Sequence, residues 1–195
     1  DLPEEFAHLT AYDMIANGTA RDHCVVTALA QSAGRGRYRR KWVSHHGNLY
    51  ASFIFNSPER DPRLSYAVAV AIAETLITFG RSPTIKWPND IYFGDKKLVG
   101  ILIENSLSGR YVGYSIVGVG VNVNQTAWIS NAPNPISMKE ITGKNYDVES
   151  LMNEWILSLK SWEIAPTEDI RAAYLAHLYR REGWYPYVER EVSLT

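Results

Sequence analysis

Residues 84–104 read TIKWPNDIYFGDKKLVGILIE, and this stretch decides the fold. Two short runs rich in β-branched and aromatic residues, 84–87 and 91–93, predict two strands. Gly94 and Asp95 form a turn signal directly after the second run, and the apolar run 98–104 predicts a third strand. Because this turn is short, we expect the second and third strands to pair as a hairpin within a β-sheet.

Along the whole chain, most of the predicted strands precede most of the predicted helices. The other predicted strands are 24–31, 48–55 and 111–123, and the predicted helices are 10–16, 62–79, 136–141, 148–162 and 167–181. Asp61 and Pro62 supply an N-cap and a first-turn proline for the helix that precedes the hairpin. This order is typical of an α+β fold, and we predict a mixed β-sheet that helices cover on one face.

The composition is that of an ordinary globular protein and excludes several functional classes. Of the 195 residues, 46% are hydrophobic and 21% are charged, which excludes a disordered or collagen-like chain. The formal net charge of -1 gives no overall attraction to nucleic acid or to a membrane. The single cysteine, Cys24, cannot form an internal disulfide, and we expect a buried thiol in a reducing compartment. No apolar run reaches membrane-spanning length and residues 1–5 are unlike a signal peptide, so we expect a cytoplasmic protein.

A strongly basic segment with interleaved glycines occupies residues 32–42, SAGRGRYRRKW, and its composition predicts a loop. Glycine lets a backbone approach a ligand closely, and arginine matches the oxygens of carboxylates and phosphates. Three interpretations stay open from these residues: a loop that grasps a small anion, an arm that binds nucleic acid, or a solvated turn. The segment matches neither a P-loop nor a dinucleotide-binding fingerprint.

Two further groups of residues are unusual for their places in the predicted sheet. Residues 86–90, KWPND, concentrate a cation, an aromatic ring, an amide and a carboxylate between two strands. Lys97 leads into the apolar third strand, where its ammonium would lie at the sheet edge, although alone it is typical of a surface hairpin. Gly118 and Gly120 share one face of a predicted strand, which indicates close approach of a ligand or another backbone, or a bulge.

Four motifs in this chain resemble, in their order and spacing, the motifs of biotin protein ligases. They are GRGR at 34–37 followed by Trp42, KWPND at 86–90, KLVGIL at 97–102 and GVGVN at 118–122. The resemblance implies the class II synthetase-like fold of the biotin/lipoate protein ligase catalytic domain. It implies that the carboxylate of biotin attacks the α-phosphate of ATP, and that a lysine of an acceptor protein then attacks the biotinyl-5'-adenylate. The implied substrates are biotin and ATP with Mg²⁺. The implied partner is a biotin carboxyl-carrier protein or domain, such as that of acetyl-CoA carboxylase.

The resemblance also implies roles for individual residues. Arg35, Arg37 and Lys97 would be catalytic, because they hold the reacting carboxylate and phosphate oxygens. The implied biotin-binding residues are Thr10, Gln31, Gly34, Arg35, Gly36, Arg37, Lys97, Gly100 and Ile101. The implied ATP-binding residues are Arg37, Trp42, Asn89, Asp90, Lys97 and Asn122, with Mg²⁺ near Asp90. We expect no structural metal, because adjacent histidines such as His45 and His46 point to opposite faces of a strand.

Two departures from the family pattern leave other functions open. Arg39 stands where the family has a glycine, so a larger, charged residue replaces one hinge of the loop. The family's Ser-Thr-Asn motif is absent from the first helix, where residues 8–12 read HLTAY, and Thr10 is its best substitute unless it caps that helix. A biotin or nucleotide sensor without catalysis, and an acyltransferase similar to lipoate ligase, stay open as alternatives.

The resemblance predicts one catalytic domain over residues 1–183, with 184–195 as the beginning of a C-terminal β-barrel that is truncated or absent. Because only nine residues precede Thr10, we expect a monofunctional ligase without an N-terminal DNA-binding domain. We expect a monomer or a homodimer that binds neither nucleic acid nor a membrane.

Overall fold

The computed structural model describes residues 7–36, 41–56, 63–80, 82–108, 111–128 and 134–185. The helices are α1 (Ala7–Ala16), α2 (Arg63–Thr78), α3 (Met138–Thr142), α4 (Val148–Glu163) and α5 (Thr167–Ala176). The strands are β1 (Cys24–Ala28), β2 (Gln31–Arg35), β3 (Lys41–Ser44), β4 (Leu49–Phe55), β5 (Thr84–Lys86), β6 (Asp90–Phe93), β7 (Lys96–Ser108) and β8 (Tyr111–Val121).

Among the described residues, six strands form one sheet in the order β1-β4-β8-β7-β6-β5. Each neighbouring pair in this sheet is antiparallel, and parallel contacts are isolated bridges such as that between Ile85 and Leu178. β6 and β7 pair through the predicted turn at Gly94 and Asp95. The long strands β4, β8 and β7 lie at the centre of the sheet, where they can carry a site on either face.

The main core lies between one face of the sheet and the helices α2, α4 and α5. Phe53 and Phe55 alternate along β4 and therefore both face these helices. Trp155 of α4 is fully buried, and its ring meets that of Phe53 edge-on, with 4.5 Å between the ring centres. α2 presents a run of buried alanines and valines, whose small side chains let the helix pack closely. The predicted layer of helices on one face of an α+β sheet is confirmed.

The opposite face of the sheet is covered in part by α1. Ala11 packs against Ile54 of β4 and Ile116 of β8 in a smaller apolar cluster. Next to this cluster, β2 and β3 form a separate two-stranded hairpin whose Trp42 reaches the middle of the sheet. The central part of β7 and β8 between these coverings is the floor of the candidate site.

Part of the segment predicted to be a loop, residues 32–42, instead belongs to this hairpin. Gly34 lies opposite Trp42, and Arg35 lies opposite Lys41. The loop prediction was wrong at these positions because glycine and arginine disfavour a strand locally. The pairing of β2 with β3 and the packing of Trp42 on the large sheet are contacts that local composition does not encode.

Two boundaries near the N-terminus also differ from the predictions. α1 includes Ala7, so Thr10 lies inside the helix and is not its cap. β1 ends at Ala28, and Gln31, predicted to end that strand, begins β2. Both differences arise where a short segment packs on the sheet, because tertiary contacts then override the local signals.

α5 ends at Ala176, earlier than predicted, because the chain then runs beside the edge strand β5. The amide nitrogen of Ile85 donates a hydrogen bond to the carbonyl of His177 at 2.7 Å, and that of Tyr179 donates to the carbonyl of Ile85 at 2.9 Å. This segment therefore satisfies backbone groups at a sheet edge that would otherwise be unpaired.

Some predictions fall outside the described residues. They include the helix cap at Asp61 and Pro62 and residues 186–195 of the predicted barrel segment. The domain boundary at residue 183 stays a prediction. None of the helices in the described ranges combines the length and apolar character that a membrane crossing requires.

Candidate active site

A floor of glycines lies in the middle of the second face of the sheet. Gly100 of β7 pairs with Gly120 of β8, and Gly118 lies two residues further along the same face. A Cβ atom at Gly100 would lie 2.6 Å from the indole of Trp42, and one at Gly120 would lie 2.7 Å from it. Only glycine admits the ring here, so the group that approaches Gly120 closely is the Trp42 side chain.

A cation and a carboxylate meet beside this indole. The Nζ atom of Lys97 lies 2.6 Å from Oδ1 of Asp90 and 5.3 Å from the centre of the Trp42 ring. The side chains of Lys97 and Asp90 are 30% and 20% exposed, so the pair is partly shielded from water. The structure therefore directs the Lys97 ammonium toward the glycine floor.

Hydrogen bonds with residues 134–136 and with Asn122 fix the backbone around Lys97. Its amide nitrogen donates to the carbonyl of Asn134 at 2.7 Å, and its carbonyl accepts from the amide nitrogen of Ile136 at 3.0 Å. Asn122 is buried, and its Nδ2 atom donates to the carbonyls of Ile136 at 3.1 Å and Lys97 at 3.4 Å. Asn122 thus positions Lys97 in this structure, and its predicted contact with ATP stays a prediction.

Asn89 forms two hydrogen bonds with the backbone of β7, the strand that carries Gly100. Its Nδ2 atom donates to the carbonyl of Ile101 at 2.8 Å, and its own carbonyl accepts from the amide nitrogen of Ile101 at 2.8 Å. The side chain of Ile101 is buried in the main core, so only its backbone borders the floor. The predicted contacts of Asn89 with ATP and of Ile101 with biotin stay predictions.

The basic hairpin and Lys97 lie on the same face of the sheet. Gly34 is opposite Trp42, whose ring contacts Lys97, and Arg35 follows directly after Gly34. Arg35 also lies close enough to His8 of α1 for its charge to act on that imidazole. The hairpin therefore meets Lys97 through Trp42, and the predicted approach of Arg35 to Lys97 stays a prediction.

The other predicted residues of the hairpin fall at its ends. Gln31 lies opposite Ser44, and Gly36 follows directly after β2. Arg37 and Arg39 lie outside the described residues. The predicted ligand contacts of Gln31, Gly36 and Arg37 stay predictions.

A polar cluster that sequence reasoning missed lies at the far end of the floor. His8 places Nε2 2.7 Å from Oε2 of Glu104 and Nδ1 3.3 Å from Oγ of Ser52. A Cβ atom at Gly118 would lie 2.7 Å from His8 Nδ1, so the imidazole rests on that glycine. The ring of Tyr12, one turn later in α1, meets the imidazole edge-on at 5.7 Å. The i, i+4 spacing of the two rings was an available signal.

Burial sets the protonation of this cluster. It lowers the pKa of His8 below the usual 6.5; Glu104 partly opposes this shift and the charge of Arg35 adds to it. The imidazole is therefore neutral at neutral pH, with the Nε2 proton donated to Glu104 and Nδ1 facing the Ser52 hydroxyl. Burial also raises the pKa of Tyr12, and the Glu104 carboxylate raises it further.

Comparison with known proteins identifies the family. A sequence profile of the biotin/lipoate A/B protein ligase family matches residues 9–122, more than half of the chain. The chain belongs to the biotin/lipoate A/B protein ligase family. Within this family, the biotin–(acetyl-CoA-carboxylase) ligase of Paracoccus denitrificans is 34% identical over 173 residues, which cover 80% of this chain and 70% of that protein.

Other members of the biotin/lipoate ligase family share the fold or part of the sequence. The bifunctional ligase/repressor BirA of Bacillus spizizenii is 40% identical over 121 residues, covering 60% of this chain and 37% of that protein. The chain spans between 37% and 53% of the length of relatives with that name. The biotin protein ligase from Aquifex aeolicus, solved in complex with biotin and ATP, has a TM-score of 0.73 at 28% identity and is matched over 86% of this chain and 74% of that one. The fold implied by the resemblance is confirmed.

The lowered pKa of His8 makes the stability of this family member depend on pH. Because folding disfavours the protonated imidazole, the unfolded chain takes up its proton first as the pH falls below 6.5. The free energy of unfolding should therefore decrease from about pH 7 to about pH 5, and it should decrease less in His8→Gln. Urea denaturation of both proteins across this range measures the difference. An unchanged pH dependence in His8→Gln would show that burial does not hold this imidazole neutral.

Proposed function

We propose that this chain ligates biotin to a lysine of a biotin carboxyl-carrier domain, using ATP and passing through biotinyl-5'-adenylate. The observation that carries the proposal is the Lys97 ammonium, which lies beside Trp42 on a glycine floor that the basic hairpin partly covers. Family membership narrows the chemistry to activation and transfer of an acyl group, and the protein of Paracoccus denitrificans carries the name of a biotin ligase. We place the reaction in the cytoplasm, where ATP and the carrier are both available.

In the first step, two anions must react with each other. A carboxylate oxygen of biotin forms a bond to the α-phosphorus of Mg–ATP, and the bond from that phosphorus to the bridging oxygen breaks, which releases pyrophosphate. Lys97 and Arg35 reduce the repulsion between the carboxylate and the phosphates, and their positive charges stabilise the charge on the α-phosphate oxygens in the transition state. Arg37 belongs to the same basic segment and is proposed to act with them.

The ion pair with Asp90 prepares Lys97 for this step. At 2.6 Å, Asp90 holds the ammonium in place and partly shielded from water before the substrate binds. A carboxylate or phosphate oxygen of the substrate is an anionic partner of the same kind as the Asp90 carboxylate. The Lys97 ammonium can therefore leave Asp90 for the substrate without first being fully hydrated. The Lys97 side chain needs only a small movement for this exchange, because Asp90 already holds it at the floor.

In the second step, the amine of an acceptor lysine attacks the carbonyl carbon of the mixed anhydride. The bond between that carbon and the phosphate oxygen breaks, AMP leaves, and the new amide nitrogen loses a proton to solvent. This acyl group is already activated, so the protein needs to orient the amine and exclude water rather than supply a strong base. The hairpin over the floor, with Trp42 beneath the proposed position of adenine, is suited to both tasks.

A direct assay tests the proposed function. Incubation with biotin, Mg–ATP and a carrier domain should release pyrophosphate and yield carrier that a streptavidin blot detects. Biotin binding without pyrophosphate release would instead support a sensor, and transfer of lipoate in preference to biotin would support a lipoate ligase. Labelling that persists when ATP is omitted would also contradict the proposal, because the adenylate requires the nucleotide.

A further inference from the structure

An irregularity in the pairing of β6 with β7 precedes the glycine floor in the chain. Ile91 of β6 lies opposite Val99, but the next residue of β6, Tyr92, lies opposite Lys97. Leu98 is therefore an extra residue without an opposite partner on β6, which is the arrangement of a β-bulge. The bulge directly follows the residue that carries the proposed catalytic ammonium.

This bulge decides which face of the sheet Lys97 occupies. Gly100 faces the floor, so strict alternation along β7 would place residue 98 on the floor and residue 97 in the core. The structure shows the opposite. Leu98 and Val99 are both buried in the main core. The Lys97 ammonium lies beside the Trp42 ring on the floor side, so one extra residue reverses the direction of the side chains that precede it.

A bulge interrupts the ladder of backbone hydrogen bonds, and a neighbouring segment supplies partners at this one. Lys97 forms an isolated parallel bridge with Pro135, and its amide nitrogen donates to the carbonyl of Asn134 at 2.7 Å. The carbonyl of Leu98, the extra residue, accepts a hydrogen bond from the amide nitrogen of Asn122 at 3.0 Å. The bulge is therefore held by contacts from outside the β6–β7 hairpin.

The side chain of Asn134 also holds the turn that precedes the bulge. Its Nδ2 atom donates a hydrogen bond to the carbonyl of Asp95, two residues before Lys97. One asparagine therefore binds the backbone on both sides of Lys96, through its side chain at residue 95 and through its own carbonyl at residue 97. The hydroxyl of Tyr179 donates to the carboxylate of Asp95, which anchors the same turn from a second direction.

We propose that Asn134 is a positioning residue for the reaction, because it maintains the bulge that directs the Lys97 ammonium to the floor. The inference rests on the proposed function, in which this ammonium stabilises charge on the reacting oxygens. Asn134 acts through the backbone of residues 95–97 rather than through contact with the reacting atoms. Loss of its amide group frees the turn, and misplacement of a catalytic group by about 1 Å can lower a rate by about 100-fold.

Asn134→Ala tests this role, because it removes the side-chain amide and keeps the backbone carbonyl that Lys97 uses. It should lower kcat for adenylate formation about tenfold and leave the KM values for biotin and ATP within about twofold of wild type. Pyrophosphate release at varied substrate concentrations gives both parameters. Asn105→Ala is the matched control, because Asn105 lies toward the other end of β7, where its side chain accepts a hydrogen bond from Ser115 at 2.8 Å. This control should keep the wild-type kcat.

A double-variant cycle separates positioning from a general structural effect. In a Lys97→Met background, Asn134→Ala should lower kcat no further, because no ammonium is left to misplace. A general structural effect would instead lower kcat by the same factor in both backgrounds, and that outcome would overturn the inference. An unchanged kcat in Asn134→Ala alone would also overturn it. Circular dichroism checks that each variant is folded.

Hydrogen exchange in the protein without substrate distinguishes this inference from the proposed function. The amide of Lys97 should exchange about tenfold faster in Asn134→Ala than in the wild type, whereas amides at the centre of β8 should exchange at the wild-type rate. Unchanged exchange at Lys97 overturns the inference even if the wild-type protein ligates biotin. Faster exchange in a protein whose wild type forms no adenylate supports the role of Asn134 in holding the bulge and overturns the proposed function alone.

Discussion

Lys97→Ala is expected to lower the rate of biotinyl-adenylate formation by about 10²-fold to 10³-fold, the range typical for loss of one preorganised group that stabilises transition-state charge. The ammonium lies 2.6 Å from Asp90 and beside the Trp42 ring, so its removal takes a positive charge from a partly shielded site. The effect should fall mainly on kcat, because the charge on the α-phosphate oxygens grows as the new bond forms. Pyrophosphate release at saturating biotin and ATP measures it.

Two companion variants separate charge from structure at this position. Lys97→Met keeps most of the apolar stem and should lose as much activity as Lys97→Ala if the charge is what matters. Lys96→Ala removes the neighbouring, exposed lysine of the same strand and should retain wild-type activity. Full activity in Lys97→Ala, or an equal loss in Lys96→Ala, would show that the transition state does not depend on this ammonium.

The layer of helices was predictable from sequence because its signals are periodic and local. α2 and α4 each bury a stripe of residues at helical spacing, and both lie within a residue or two of their predicted bounds. The strands around the Gly94 turn were predictable for the same reason, since the turn residues and apolar runs lie next to each other. The motifs with Lys97 and Gly120 indicated one site because their order and spacing matched a known family.

The polar end of the site was not predictable because its contacts join distant parts of the chain. His8 meets Ser52 and Glu104, which lie 44 and 96 residues away in the sequence. Thr10 was chosen as the best substitute for the family's Ser-Thr-Asn motif within residues 8–12, and that choice did not point to His8, whose ring the structure places on Gly118. Local patterns do not show which side chain of a short helix faces a sheet when the helix itself is weakly amphipathic.

Gly120→Val is expected to raise the KM for ATP by about 100-fold while biotin binding changes less. A Cβ atom at this position would lie 2.7 Å from Cε2 and Nε1 of Trp42, so valine must displace the indole from the sheet. If Trp42 stacks on adenine as proposed, a displaced ring loses the stacking energy, which is about 1–3 kcal/mol for a base on an aromatic side chain. Initial rates of adenylate formation against ATP concentration give the KM, and calorimetry gives the Kd for biotin.

Gly113→Val is the control that makes this expectation specific, because it places the same side chain on the same strand. A Cβ atom at Gly113 would come no closer than 3.8 Å to its nearest neighbour, the carbonyl of Ser106, so the substitution has room. Trp42→Ala should match Gly120→Val in its KM for ATP, since both remove the indole from the floor. If Gly120→Val kept a wild-type KM for ATP while Trp42→Ala did not, the ring would bind the nucleotide from somewhere other than the glycine floor.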